Sequence, residues 1–408
     1  MKRGKSGRDP MMVEKRDVSQ AALIAVVILV GLNLRAFLTA VGPLAPVIAE
    51  ATGLSLQGMS LFTLAPMILM GACAFAGPWL QSTFGARAAV LGALLILGVA
   101  CGLRMVVSDG MALIGTAALC GLGVAIVQAV FPGVIKTYFP TRFAIMMGLY
   151  SSMLMAGGAL GAQISPAVAA ATGSWQLGLG WTVIPAAVAF IAGVIALPHG
   201  RAATMGGMGP GTLLRRPRTW LLMACFGLVN GGYSSCVAWL AAYYQSLGWT
   251  STESGRLLAV MAVAQATAAL GFPILASRRR DRRLWIWITL LLQITGFAGL
   301  ALAPLAAPAF LAAAVGAGLG GCFALSMVVA LDHLDHPAHA GALSALMQGG
   351  GFLIAAVPPW IVAVLHDISG SFTTGWLMHL GCIAVVLVLS FRLVPGGYAV
   401  AMGRDVAV

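Results

Sequence analysis

The segment Gln20 to Ala49 reads QAALIAVVILVGLNLRAFLTAVGPLAPVIA, and its only charged residue is Arg35. A run this long and this apolar predicts a membrane-spanning helix, which needs about 20 residues. A guanidinium stays protonated and is costly at bilayer depth, so a retained arginine usually faces a protein interior or a water-filled cavity. Arg35 is therefore the strongest indication of a functional site in the sequence, and an anion is its expected ligand.

The remainder of the chain shares this apolar character. Hydrophobic residues make up 60% of the 408 positions and charged residues only 8%, whereas soluble domains carry about 25% charged residues. The composition predicts an all-α integral membrane protein, and the short loops leave no room for a soluble domain or a soluble enzyme. Twelve apolar spans are predicted at residues 20–49, 55–80, 87–107, 111–135, 143–170, 176–197, 219–246, 255–276, 284–305, 308–331, 341–366 and 374–394.

The net charge of +12 is distributed unevenly between the loops. With twelve spans, every basic residue except Arg35, Arg104 and Arg256 lies on one side of the membrane, and the last two fall in loops on the other side. This positive-inside pattern predicts a multi-pass membrane protein with both termini in the cytoplasm. It explains the basic residues without any binding of nucleic acid.

The two halves of the chain resemble each other at a spacing of about 195 residues. The tripeptide at 121–123, Gly-Leu-Gly, recurs at 318–320, and the glycine pair at 157–158 recurs at 350–351. We expect these helical glycines to permit close helix packing. Repeated six-span halves predict a substrate site between two bundles and access that alternates by rocking. The predicted division is an N-terminal bundle at 1–198, a flexible cytoplasmic linker at 199–217 and a C-terminal bundle at 218–408.

Several stretches carry a family resemblance. They are Gly31-Leu-Asn-Leu-Arg35, Gly102-Leu-Arg104, Met147-Gly-Leu-Tyr-Ser151, Ala238-Trp-Leu240 and Gln348-Gly-Gly-Gly-Phe352. With them the chain resembles the major facilitator superfamily over nearly its whole length, and within it the cyanate/2-nitroimidazole transporter family. The resemblance implies the major facilitator fold and secondary transport of cyanate-like anions or nitroimidazole-like planar solutes. It alone supports Trp239 as a site residue.

Polar residues at the depth of Arg35 complete the predicted site. Thr39 lies one helical turn after Arg35 on the same face, whereas Asn33, two residues before it, points elsewhere. Acidic residues are confined to span ends and loops, which argues against an exporter of cations that uses an embedded carboxylate. The candidate substrate-binding residues are Arg35, Thr39, Asn33, Gln128, Tyr150, Asn230, Tyr233, Trp239 and Gln348.

A carrier for a small solute is the function that these residues favour. A polyspecific drug or metabolite exporter of the same fold is the alternative, while a sensor or a membrane-embedded enzyme lacks the signalling domain or catalytic cluster that it would need. We predict no cofactor and no metal site, and interpret the acidic and histidine residues at 332–339 as a solvated turn. The expected partners are the solute and the lipid bilayer, the expected state is a monomer, and proton coupling is left open.

Overall fold

The computed structural model describes residues 19–198 and 210–403. The basic N-terminal segment at 2–16, Arg404 and the first part of the predicted linker lie outside these ranges. Within them, twelve helical segments are long and apolar enough to cross a membrane, and each overlaps a predicted span. The helices are α1 (Gln20–Thr39), α2 (Val41–Thr52), α3 (Leu56–Phe84), α4 (Ala86–Leu103), α5 (Gly110–Tyr138), α6 (Phe143–Thr172), α7 (Trp175–Gly180), α8 (Val183–Ala196), α9 (Pro210–Leu214), α10 (Pro217–Ser246), α11 (Ser251–Ala276), α12 (Arg283–Leu302), α13 (Pro308–Asp332), α14 (Pro337–Ala356), α15 (Pro358–Ser369), α16 (Thr373–Ser390) and α17 (Tyr398–Ala401).

The two halves of the chain use the same pattern of helix neighbours. In the first half α1 packs against α6, α3 against α5, and α4 against α5 and α8. In the second half α10 packs against α14, α11 against α13, and α12 against α13 and α16. Each half is therefore a six-span bundle with the same arrangement. The bundles meet where α6 packs on α11, α3 on α14, and α2 on α10.

Three of the predicted spans are each divided into two helices. Apolar length predicts the spans but not these breaks. The first span changes from α1 to α2 at Ala40, the sixth from α7 to α8 after Gly180, and the eleventh from α14 to α15 at Val357. Proline lacks the N–H that continues a helix, and Pro43 and Pro358 follow two of these breaks. Backbone groups released at a break inside a membrane have to be satisfied by neighbouring protein groups.

Arg104 satisfies one such group. It lies in the connection directly after α4, as predicted, but its side chain is fully buried. Its Nη1 donates to the Phe37 carbonyl at 2.9 Å, and its Nε donates to Thr116 Oγ1 at 3.2 Å. The long side chain thus turns back into the bundle and joins α1, α4 and α5 beside the break at Ala40.

Glycine brings α6 into direct contact with the backbone of α1. A Cβ atom at Gly157 would collide with the Leu32 carbonyl, and one at Gly161 would collide with the Ala36 carbonyl. In the second half, Gly350 and Gly351 of α14 face side chains of α10 in the same way. The structure confirms that these glycines are packing residues, as expected for small residues between membrane helices.

The segment after α13 differs from the predicted solvated turn. His333 is buried, its ring stacks on Tyr398 with the centroids 3.8 Å apart, and its Nδ1 lies 2.7 Å from the Val329 carbonyl. Burial lowers the pKa of His333 to about 4, so the ring is neutral near pH 7. Asp332 forms an ion pair with Arg282 at 3.2 Å. The histidine is therefore part of the packing that holds the C-terminal segment.

The part of the predicted 199–217 linker that the structure describes is ordered. Residues 210–214 form α9, and Leu213 in it is buried. The Leu213 carbonyl accepts a hydrogen bond from Thr219 Oγ1, and the Leu214 carbonyl accepts one from Trp220 Nε1. This part of the linker therefore contains a short helix, α9, that contacts the start of α10.

Substituting alanine at two adjacent glycines tests the contact between α1 and α6. We expect Gly157→Ala to lower the free energy of unfolding by about 1–3 kcal/mol, because its Cβ has no room beside the Leu32 carbonyl. Gly158→Ala is the matched control, since its Cβ would meet Arg35 and Thr39 at 3.5 Å, an ordinary contact. Thermal unfolding of the purified variants in detergent measures the difference. Equal melting temperatures would contradict the close contact.

A second pair of variants tests the role of Arg104. We expect Arg104→Leu to lower the free energy of unfolding by about 1–3 kcal/mol, because the buried Phe37 carbonyl and Thr116 hydroxyl lose their donor. Arg256→Leu, at an exposed arginine early in α11, is the control and should unfold like the parent protein. Thermal unfolding in the same detergent is the measurement. A parent-like melting temperature for Arg104→Leu would show that these bonds contribute nothing.

Candidate functional site

Arg35 lies between the two bundles, about midway along the α1–α2 segment. Its side chain is 2% exposed, and Nε and Nη1 have no hydrogen-bond partner among the described residues. The guanidinium carbon stands 4.4 Å from the centroid of the Tyr233 ring, which belongs to α10 of the other bundle. This is a cation–π contact, and it joins the two bundles at the depth of the arginine.

Tyr150 of α6 adds a second aromatic side chain near Arg35. It is buried, and its hydroxyl has no hydrogen-bond partner within residues 19–198 and 210–403. Its ring lies 5.6 Å from the ring of Phe131, and its hydroxyl is close enough to Arg35 for an electrostatic interaction. One guanidinium and two tyrosines therefore converge from α1, α6 and α10.

The surroundings of Arg35 leave its positive charge uncompensated within the described part of the chain. The acidic residues there lie in loops or in the first or last turns of helices, as at Glu50, Asp109 and Glu253. The described ion pairs involve Arg282, Arg283 and His366 and do not include Arg35. A buried charge of one sign in a low-dielectric site produces a strong local potential, so this position attracts an anion.

Contacts between the bundles enclose this position from both ends. At one end Gln57 Nε2 donates to Asp367 Oδ2, and Gln245 Nε2 donates to the Pro43 carbonyl, both at 2.9 Å. Toward the other end, a Cβ atom at Gly148 of α6 would lie 3.8 Å from the Leu270 side chain of α11. These contacts explain why a charged side chain in the middle of the protein is almost fully removed from solvent.

Four predicted site residues use their polar groups to bond neighbouring backbone. Thr39 shares a face with Arg35, but its hydroxyl donates to the Gly158 carbonyl at 2.7 Å. Asn33 points toward α8, where its Nδ2 donates to the Pro185 carbonyl at 3.0 Å. Asn230 Nδ2 donates to the Phe226 carbonyl at 2.8 Å, and Trp239 Nε1 to the Pro359 carbonyl at 2.8 Å.

The remaining predicted residues are two glutamines, and two polar side chains outside the predicted set are buried. Gln128 of α5 and Gln348 of α14 are half-buried. Gln265 of α11 and Ser235 of α10 were not among the candidates, yet each is buried with a side-chain oxygen that has no partner in the described ranges. Ser235 corresponds to Thr39 at the spacing of the internal repeat. The repeat could therefore have indicated Ser235 from the sequence.

Sequence comparisons identify the relatives of this chain. The sequence model of the Major Facilitator Superfamily matches residues 23–359 of this chain. The cyanate transport protein CynX of Escherichia coli (strain K12) is 40% identical over 379 residues, which cover 91% of this chain and 97% of that protein. The 2-nitroimidazole transporter of the same organism is 25% identical, over 95% of this chain and 96% of that protein.

Solved structures share the fold at low sequence identity. A D-xylose-proton symporter has a TM-score of 0.76 at 14% identity and covers 94% of this chain and 99% of its own. A bacterial homolog of the human lysosomal transporter Spinster, in an inward-facing and unoccupied conformation, has a TM-score of 0.73 at 14% identity, with coverages of 95% and 97%. The family match, the 40% identical relative and the paired six-helix bundles lead to one conclusion: this chain belongs to the Major Facilitator Superfamily.

Proposed function

We propose that this chain is a secondary transporter that moves a small anionic or planar polar solute by alternating access. The observation that carries the proposal is the pair of Arg35 donors, Nε and Nη1, that have no acceptor among the described residues between the bundles. A buried guanidinium without a partner is destabilising, whereas one that donates charge-assisted hydrogen bonds to an anion is stabilised and also orients that anion. The solute therefore completes the site.

The relatives support the class of solute. One is a cyanate transport protein and another a 2-nitroimidazole transporter. Cyanate is a small linear anion, and a nitroimidazole is a flat ring with electron-rich nitro oxygens, so both can accept hydrogen bonds from Arg35. Tyr150 suits such solutes, because an aromatic face packs against a flat molecule and a phenol donates a hydrogen bond. The relatives do not favour the alternative of a polyspecific exporter.

The predicted residues divide into two roles in this proposal. Arg35 and Tyr150 contact the solute, and the amides of Gln128 and Gln348 orient it from the facing helices. Tyr233 covers one face of Arg35 and does not contact the solute. A second group keeps the helices in place through backbone hydrogen bonds and shapes the site without contacting the solute; it comprises Asn33, Thr39, Asn230 and Trp239.

The proposal extends to the setting of the protein. The chain acts as a monomeric carrier and not as an enzyme, in the bacterial inner membrane, with both termini in the cytoplasm. The bundles at 1–198 and 218–408 rock about the site and are joined by residues 199–217. The equal neighbour patterns of the two halves support the rocking movement. Any coupled proton crosses on the solute, since the described acidic residues lie at the ends of the helices.

Substitution of Arg35 tests the proposed function. We expect Arg35→Ala to weaken binding of cyanate by about 10- to 100-fold, because charge-assisted hydrogen bonds to the anion are lost. Arg35→Lys keeps the charge but loses the planar set of guanidinium donors. Its affinity for cyanate should therefore lie between those of the parent protein and Arg35→Ala. Calorimetric titration of purified protein with cyanate measures binding, and uptake of labelled cyanate into proteoliposomes measures transport.

Arg256→Ala is the matched control for the loss of one positive charge, since this arginine is exposed early in α11. It should bind and transport cyanate like the parent protein. Thermal unfolding of each variant separates loss of binding from loss of the fold. Cyanate binding of parental strength in a folded Arg35→Ala variant would refute the proposed function.

Reporter fusions test the proposed orientation. Positive-inside loops predict that green fluorescent protein fused after the last residue will fluoresce, because it folds in the cytoplasm, and that alkaline phosphatase fused there will be inactive. A fusion of each reporter in the loop between α4 and α5 is the control and should give the opposite result. An active phosphatase at the C-terminus would contradict the orientation.

A further inference from the structure

Among the described residues, the Tyr233 ring packs on the face of the Arg35 guanidinium. The two side chains come from opposite bundles, and both are buried. The ring covers one face of the guanidinium with its π electrons at 4.4 Å and leaves Nε and Nη1, which lie at the edge, without an acceptor. The two parts of the guanidinium therefore have different partners. An aromatic ring packs on its face, and Nε and Nη1 in its plane can bind an anion.

This division has an energetic consequence for closure of the bundles. Alternating access requires the site to be enclosed each time the carrier changes direction. Enclosure of Arg35 with an anion at its edge buries a neutral pair, whereas enclosure without one buries a net charge. A cation–π contact offsets only part of the cost of that charge, because a ring quadrupole attracts more weakly than an opposite charge. The loaded carrier therefore closes more readily than the unloaded one.

From this we propose that the chain is an anion exchanger in which Tyr233 is the internal partner of Arg35. One small anion crosses rapidly when another returns on the same carrier, and the unloaded carrier returns slowly with its arginine held against the Tyr233 ring. The inference rests on the proposed function, because it needs an anion that binds Arg35. It adds the mode of transport and a separate role for one residue.

The remaining groups near Arg35 do not supply a negative charge. Tyr150 is a buried neutral phenol, and Thr39 directs its hydroxyl to a backbone carbonyl. Gly158, which faces Arg35 from α6, brings no side chain. Within the described part of the chain, the charge is therefore compensated by the solute in one state and by the Tyr233 ring in the other.

Proteoliposomes that contain the full-length protein test the exchange. Vesicles loaded with labelled cyanate are diluted either into unlabelled cyanate or into gluconate, with valinomycin and equal potassium to clamp the voltage, in mildly alkaline buffer that keeps cyanate ionised. We expect exchange to be at least about tenfold faster than net efflux. This is the ratio expected when the unloaded carrier lacks one interaction, that of Arg35 with the anion, which the loaded carrier makes. This ratio is measured on the parent protein and needs no variant.

Two variants of Tyr233 test the role of the ring. Tyr233→Phe keeps the aromatic face, and we expect it to keep both rates. Tyr233→Leu removes the face, and we expect exchange within about threefold of the parent but net efflux slowed by a further 2- to 30-fold, the range of cation–π strengths. Equal losses in exchange and net efflux for Tyr233→Leu would overturn the role of the ring.

The parent protein separates failure of this inference from failure of the proposed function. Equal rates of exchange and net efflux, together with measurable binding of cyanate, would overturn the exchange mode and leave the anion site intact. Absence of cyanate binding in calorimetry would refute the proposed function and the inference with it. A fast exchange with slow net efflux supports both.

Discussion

Burial of the Arg35 guanidinium costs at least a few kcal/mol at bilayer depth, and other parts of the structure have to supply that stability. The backbone contact of α6 with α1 contributes dispersion energy along the helix that carries the arginine. Arg104 satisfies a carbonyl of the same helix two residues further on, beside the break at Ala40. The Tyr233 ring then covers one face of the charge from the opposite bundle. The site is held by its surroundings, and the part of the arginine left without a partner is the part available to a solute.

The twelve spans and the two-fold repeat were predictable, because apolar length and repeated order are properties of the chain alone. The breaks were harder to predict, for different reasons. Pro358 and Pro359 stand directly at the break in the eleventh span and could have indicated it. At Ala40 the proline comes three positions later, where its ring disfavours a helix through Thr39, and Gly42 lies against the Val237 carbonyl of α10, so the exact position of the break depends on both. Tertiary contacts decide such positions, and a span predicted from composition cannot contain them.

The site was predictable only where it depends on a single helix. The burial of Arg35 and the face that it shares with Thr39 follow from the sequence, and both residues do approach Gly158. The hydroxyl of Thr39 nevertheless bonds the α6 backbone, because α6 comes so close. The pairing of Arg35 with Tyr233 depends on the rotation of one bundle against the other, which no periodicity within a helix records. The burial of Arg104 could not be predicted, because the sequence shows the length of a connection but not the direction of a long side chain.

The contact between α1 and α6 also limits how a carrier of this shape can diversify. At Gly157 and Gly161 the carbonyls of α1 occupy the space where any larger side chain would begin, so mutation at these positions is selected against by sterics alone. The contact between α1 and α6 is therefore fixed at these two positions, and it holds Arg35 at a constant depth. Changes that preserve the contact remain open at Gly158, where a Cβ atom would meet only Arg35 and Thr39 at 3.5 Å, and at Tyr233 on the opposite wall.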